Sequence, residues 1–210
     1  MNPKLPNIIP IFPLSGVIFF PDTNLPLNIF EPRYLSLVDD AIKGNKYIGM
    51  IQAKNETSNV YSVGCLGKII DHRKTKDRNV LVKLMGISRF EIKTEIRKTK
   101  LYRVFEVEYE KFSNDLINKK STNEPLNEIN KLYEKTKIFF RKNGLMLHWE
   151  EFEKLDQHQK INTLAMIAPI SNEEKQSLLE AIHINSKANM LSDIIEFYLH
   201  ESSISGKTLQ

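Results

Sequence analysis

Prolines at positions 10, 13, 21, 26 and 32 punctuate an otherwise apolar run from Ile8 to Tyr34, and they decide what that run can become. Proline fixes φ and donates no backbone hydrogen bond, so a run interrupted this often is neither a helix nor a strand flanked on both sides. Extended segments that cross over a strand-rich body are expected in its place. With Ser15 and Gly16, the same prolines also break the most apolar stretch, Ile8 to Phe20. Nothing elsewhere reaches the roughly 18 unbroken apolar residues of a membrane span, and the start carries no apolar leader segment. A cytoplasmic protein with no membrane partner is expected.

Downstream of the proline run the pattern to about Phe112 is one of short strands separated by turn residues. Candidate strands are Ile8–Phe12, Leu25–Phe30, Tyr47–Ile51, Cys65–Arg73, Asn79–Leu84, Ser88–Ile96 and Tyr102–Tyr109. The last carries strict alternation, Phe105, Val107 and Tyr109 against Glu106, Glu108 and Glu110, as a half-buried antiparallel strand should. One helix interrupts the series. Pro32 suits its first turn, Glu31 stands at its positive end, and Tyr34, Leu37, Val38, Ala41 and Ile42 recur at helical spacing until Gly44. Gly64, Gly67 and Gly86 suit bulges or tight turns at the corners of a curved sheet.

Ser113 to Glu124 is polar and lacks aromatics, which reads as a linker. Beyond it the apolar period lengthens from two to about three and a half. Leu126, Ile129, Leu132, Tyr133, Thr136, Phe139 and Phe140 form one face that stops at Asn143-Gly144. A second helix carries Trp149, Phe152, Leu155, Ile161, Leu164, Ala165 and Ala168. Ser171, with Glu174 three residues on, opens a third by the capping-box spacing, its face Leu178, Leu179 and Ile182. A fourth has Leu191, Ile194, Ile195 and Tyr198, and the chain is expected to fray after Leu199. The expected fold class is α+β: a mostly antiparallel strand lobe with one inserted helix over residues 1–112, a linker 113–124, a helical bundle 125–203 and a flexible tail 204–210.

Candidate chemistry is sparse. Ser205-Gly-Lys-Thr208 has the last letters of a phosphate-binding loop, but the glycine that loop needs five residues before Gly206 is Glu201, and a following helix is lacking. The five histidines, at 72, 148, 158, 183 and 200, form no pair at metal-binding spacing on one helical face. Cys65 is the only cysteine, so neither an internal disulfide nor a thiolate metal cluster can form within the chain. Asp39-Asp40, Glu150-Glu151 and Glu173-Glu174 are accounted for by solvation and the helix dipole. No catalytic set, no metal and no cofactor are expected. Charge is uneven: to Phe112 the Lys and Arg residues exceed the acids by six, after it the acids exceed them by two, leaving a net +4. The basic clusters are Arg73-Lys74-Thr-Lys76-Asp-Arg78 and Arg97-Lys98-Thr-Lys100.

Three motifs in order, Phe12-Pro-Leu14, Phe30-Glu-Pro-Arg-Tyr34 and Gly86-Ile-Ser-Arg-Phe90, stand together with Val63-Gly-Cys-Leu-Gly-Lys-Ile69 and Glu174-Lys-Gln-Ser-Leu-Leu-Glu-Ala181. In this combination the chain resembles the N-terminal substrate-binding domain of the Lon (La) ATP-dependent proteases. The resemblance implies a PUA-like β-barrel followed by a helical bundle. It also implies recognition of unfolded or extended protein segments, with a Lon-type protease as a further possible partner. A full-length Lon enzyme continues into ATPase and protease modules, whereas this sequence stops at Gln210, so a stand-alone, non-catalytic version of the domain is expected. RNA binding is the alternative, because PUA-like barrels also occur in RNA-binding proteins and the first half is basic. Phe19, Phe20, Phe30 and Tyr34 are the candidate aromatic anchors for a peptide. Arg33 and Arg89 join them, although anchoring the fold is the simpler role for an arginine beside Glu31 or Phe90.

Overall fold

The computed structural model describes residues 5–54, 59–96, 99–116 and 129–205, with side chains as far as Glu201. The chain divides into two compact units, Met1–Asn118 and Lys119–Gln210.

The N-terminal unit is a six-stranded sheet. Its strands are β1 (Ile8–Leu14), β2 (Asn24–Ile29), β3 (Tyr47–Ala53), β4 (Val60–Lys74), β5 (Val80–Ile96) and β6 (Arg103–Glu108), in the order β2-β5-β4-β3-β1-β6. Among the described strands only β1 and β3 run parallel. The sheet curls, because β6 pairs with β1 and also with the second half of β5, while β2 pairs with the first half of β5 alone. Alternating side chains from five strands fill its concave side: Ile9, Ile11, Ile51, Leu66, Phe90, Phe105 and Val107. Gly49 and Gly64 leave room for the Phe90 ring, since a Cβ on either would stand 3.1 or 2.6 Å from its Cζ. On the other side of β1 and β3 lies α1 (Pro32–Lys43), burying Tyr34, Leu37, Val38 and Ala41.

The proline-bearing segment Ile8–Leu14 is not a crossover but β1, with strands on both flanks. The pairing is staggered: β6 pairs with Ile8–Ile11 and β3 with Ile11–Leu14. Pro10 and Pro13 thus each have one strand partner, and a missing donor need not interrupt a ladder. Pro26, in contrast, lies in the edge strand β2 as proline should.

The two strands expected at Asn79–Leu84 and Ser88–Ile96 are one strand, β5, paired from Val80 to Glu91 with the equally continuous β4. Gly86 is no turn. Opposite Gly67 the register slips, and at Gly86 the segment Phe20–Thr23 crosses against the strand. Gly86 N–H donates to Thr23 O at 2.9 Å and Asp22 N–H to Gly86 O at 3.0 Å. A Cβ at position 86 would lie 2.2 Å from Phe20 O, so only glycine permits the approach. After β6 the chain enters a 3-10 helix, Glu110–Leu116, which takes in Ser113–Leu116 of the expected linker. The rest of that linker lies outside the described residues.

The helical unit comprises α2 (Ile129–Lys142), α3 (Trp149–Glu153), α4 (Gln157–Ile167), α5 (Asn172–Glu180) and α6 (Ile184–Ser205). Helix α6 packs on α2, α4 and α5, around Leu132, Phe139, Phe140, Ile161, Leu164, Leu178, Leu191 and Ile195. The expected second helix is two, α3 and α4. Asp156 caps α4 in a reciprocal box: its side chain accepts from Gln159 N–H at 2.9 Å, and Gln159 Oε1 accepts from Asp156 N–H at 3.1 Å. Asp-x-x-Gln was the signal in the sequence. The box at Ser171 and Glu174 is present as expected, but Ile182 lies beyond α5 and is exposed. Helix α6 runs past the expected end at Leu199 to Ser205, while Gly206–Thr208 lie outside the described residues.

Candidate functional site

The structure sorts the six candidate residues into two groups. Phe19, Phe20, Tyr34 and Arg89 are buried, whereas Phe30 is 63% exposed and the Arg33 side chain 56%. The parity of neighbouring positions decides this. Ile29, the last residue of β2, turns into the core, so Phe30 faces outward before Pro32 starts α1. Sequence reasoning could not separate Phe30 from Phe19 and Phe20, because all three stand in the same proline-rich apolar context.

Around Phe30 the backbone is held firmly. Arg33 Nε and Nη2 donate to Glu31 Oε2 at 3.1 and 2.9 Å, and its guanidinium lies 4.5 Å from the centre of the Tyr34 ring. That ring in turn stacks on Phe12 at 4.0 Å with an interplanar angle of 23°. Guanidinium, phenol and phenyl therefore form a column from solvent to core. Burial pushes the Tyr34 hydroxyl above its ordinary pKa, with Arg33 working against that shift, so the ring stays neutral. At the far side of α1, Asp40 accepts from Lys100 Nζ and from Tyr102 Oη, each at 2.7 Å. Those bonds hold its carboxyl below the usual carboxylate range and tie α1 to the approach to β6.

Arg89 is an internal strut. Its backbone N–H and Nε each donate to Asp115 Oδ2 at 2.9 Å, and Nη2 donates to Oδ1 at 2.8 Å. Its guanidinium also lies 4.3 Å from the centre of the Phe112 ring. Asp115 was invisible to sequence reasoning because it sits in a polar stretch 26 residues away.

Two further surfaces follow from the fold. Among the described residues strand β2 has a partner on one side only, β5, and it exposes Asn24, Pro26 and Asn28. The expected basic cluster forms the tip of the β4–β5 hairpin, next to the Ile29–Val80 end of that pairing: Arg73 and Lys74 end β4, and Lys76 and Arg78 lie in the connection, where Arg78 adopts φ +63°. Among the described residues none of these four cations, nor Lys83 on the neighbouring strand, has an acidic partner. Lys100 of the second basic cluster is engaged by Asp40; Arg97 and Lys98 lie outside the described residues. No group of three or more His, Cys, Asp or Glu is placed to hold a metal among the described residues, and no described helix is long and apolar enough to cross a membrane.

The family model described as the ATP-dependent protease La (LON) substrate-binding domain matches residues 8–196. The Lon protease of Flavobacterium johnsoniae is 33% identical over 97 residues, which are 43% of this chain and 12% of that protein. The chain thus spans about an eighth of the length of that curated relative. Among solved structures, the N-terminal domain of Mycobacterium avium complex Lon protease superposes with a TM-score of 0.67 at 15% identity, covering 90% of this chain and 98% of that one. A Lon N-terminal domain protein from Xanthomonas campestris gives 0.63 at 22% identity, covering 88% and 96%. At these identities the structural likeness speaks for the fold.

Proposed function

The chain belongs to the ATP-dependent protease La (LON) substrate-binding domain family, and from that premise we propose that it recognises extended segments of other proteins and performs no chemistry on them. The observation that carries this reading is Phe30. A large aromatic ring, 63% exposed, stands at the end of an edge strand, three residues before an arginine whose guanidinium Glu31 orients. An extended peptide can add to the free edge of β2 through main-chain hydrogen bonds and set an apolar side chain against Phe30. Pro26 withholds one donor from that edge, which favours short heterologous segments over self-assembly into longer sheets. The column Arg33–Tyr34–Phe12 keeps the platform rigid, so little ordering is required when a peptide arrives. Phe19, Phe20 and Arg89 support the platform from within. A Lon-type protease is the partner to which captured segments would pass.

The test is anisotropy of a fluorescein-labelled, permanently unfolded polypeptide titrated with the chain. Replacing Phe30 by Ser is expected to weaken binding about tenfold, the usual effect of removing an exposed aromatic anchor. The thermal midpoint should barely move, because surface substitutions cost within about 0.5 kcal/mol. Equal affinity of the wild type and a Phe30→Ser/Arg33→Glu variant would sink the assignment of this surface.

A second reading, binding of RNA, is favoured by one observation: the four cations at the tip of the β4–β5 hairpin that have no acidic partner among the described residues. If they contact four phosphates of a single strand, affinity for RNA should fall about fifty-fold between roughly 50 and 200 mM salt. A Lys74→Glu/Lys76→Glu variant should flatten that dependence. No anisotropy change with tRNA or single-stranded RNA at the lower salt ends this reading.

A further inference from the structure

Strand β2 carries no charge of its own: Asn24, Pro26 and Asn28 are exposed, and Leu25 and Ile29 turn into the core. The charge beside its free edge comes from the strands behind it. Lys83 of β5 stands opposite Pro26, and Arg73 and Lys74 of β4 stand opposite Leu81 and Val80, which are themselves the partners of Asn28 and Ile29. The connection between the two strands adds Lys76 and Arg78, and all five cations are exposed. From Lys68 to Lys83 there are six Lys and Arg residues against two acids, Asp71 and Asp77, a local net of +4 at one corner of the sheet. Asp71 is the register partner of Lys83, yet no ion pair engages it or any of the five cations among the described residues.

Phe30 directly follows Ile29, so the exposed ring and the hairpin tip share one end of the sheet. Neighbouring strands lie about 4.8 Å apart, which puts the end of β4 about 10 Å from β2, roughly one screening length at 0.1 M salt. A segment added to the free edge of β2 would send alternate side chains to the face that carries Lys83, and where it runs on past Ile29 it would pass the tip. That face also offers apolar footing: Met85, 39% exposed, stands opposite Asn24, and half-buried Leu81 opposite Asn28. Every extended segment finds the same main-chain partners on this edge, so charge is what discriminates among them. We propose that the segments taken up at β2 are acidic, with an apolar residue set against Phe30 and Asp or Glu residues beside it that face Lys83 and the hairpin tip. This rests on the reading of the chain as a peptide-recognition module and names the class of segment that the same edge selects.

Fluorescence anisotropy of the full chain with three labelled peptides tests it: a central Val-Phe-Val flanked on both sides by Glu, and the same peptide with Gln or with Lys at every Glu position. One exposed ion pair strengthens binding by about 1.5- to 5-fold, so three together should favour the Glu peptide over the Gln peptide about tenfold near 0.1 M salt. The Lys peptide should bind most weakly. Raising the salt to 1 M shortens the screening length from about 10 to about 3 Å and should bring the Glu-to-Gln ratio close to one. In Lys74→Gln/Lys83→Gln the same ratio should fall to within about twofold, and because both peptides meet the same protein, the ratio is independent of how much of the variant is folded. Phe30→Ser should weaken all three peptides and leave the ratio as it was. Equal binding of the Glu and Gln peptides, or a ratio that survives in the lysine variant, overturns the proposal and leaves the peptide reading standing. If none of the three peptides binds, the peptide reading falls and the acidic preference with it. If the Glu and Gln peptides bind alike while single-stranded RNA binds and loses affinity in the lysine variant, the tip serves nucleic acid and the proposal is wrong.

Discussion

Asp115→Ala is expected to lower the unfolding free energy of the N-terminal unit by about 3–5 kcal/mol, because it removes the anion opposite a buried guanidinium. Arg89 reaches Asp115 through three hydrogen bonds of 2.8 to 2.9 Å, and their side chains are 4% and 9% exposed. The Phe112 ring beneath the guanidinium cannot replace a buried anion. The double variant Arg89→Met/Asp115→Leu should recover most of the loss, since two apolar side chains of similar size remove the desolvation penalty along with the attraction. Urea denaturation followed by circular dichroism measures all three proteins. A loss below about 1 kcal/mol for Asp115→Ala would mean that the pair does not hold the 3-10 helix against β5.

Arg89 illustrates how far the sequence could be read. Its place beside Phe90 in Gly86-Ile-Ser-Arg-Phe90 was enough to expect an anchoring role, and the structure has it buried and paired. The partner was hidden because a polar stretch such as Ser113–Leu116 carries no periodicity, and a side chain that folds back 26 residues leaves no local mark. Strand and helix identity were legible where period and punctuation agreed: Phe105, Val107 and the glutamates between them in β6, Pro32 and Gly44 around α1, Ser171 and Glu174 at α5. They were misread where one residue type has two meanings. Glycine marks both turns and close approaches, which split β5 on paper, and the apolar period of α3 and α4 continues across the Asp156 cap that separates them. The exposed platform was the least legible part. Which of Phe19, Phe20 and Phe30 reaches solvent depends on where β2 ends and α1 begins, to within a single residue.

That dependence makes Gly86 the position where fold and proposed function meet. Its N–H and C=O hold Thr23 and Asp22, the two residues that lead into β2, and β2 in turn sets the face on which Phe30 stands. Asp22 itself adopts φ +60°, a conformation this clamp maintains. In Gly86→Ala the new methyl would lie 2.2 Å from Phe20 O and 3.0 Å from Pro21 Cα, and neither is a flexible side-chain end that can swing away. Phe20 is wholly buried, so the crossing segment can retreat only by disturbing the core. The expected cost is about 3 kcal/mol, at the upper end for overpacking, and Gly86→Val should exceed it. The consequence for binding separates this site from an ordinary core position. If β2 shifts or loses its register on β5, Gly86→Ala should weaken capture of the unfolded polypeptide about tenfold, even at temperatures where the unit remains folded. Phe90→Ala, a core truncation expected to cost about 3–5 kcal/mol, should leave the affinity of the still-folded fraction nearly unchanged. Hydrogen exchange provides the structural readout: amides of Asn24–Ile29 should lose protection in Gly86→Ala while those of β3 keep it. Affinity that follows overall stability alike in both variants would show that β2 is not the element on which recognition depends.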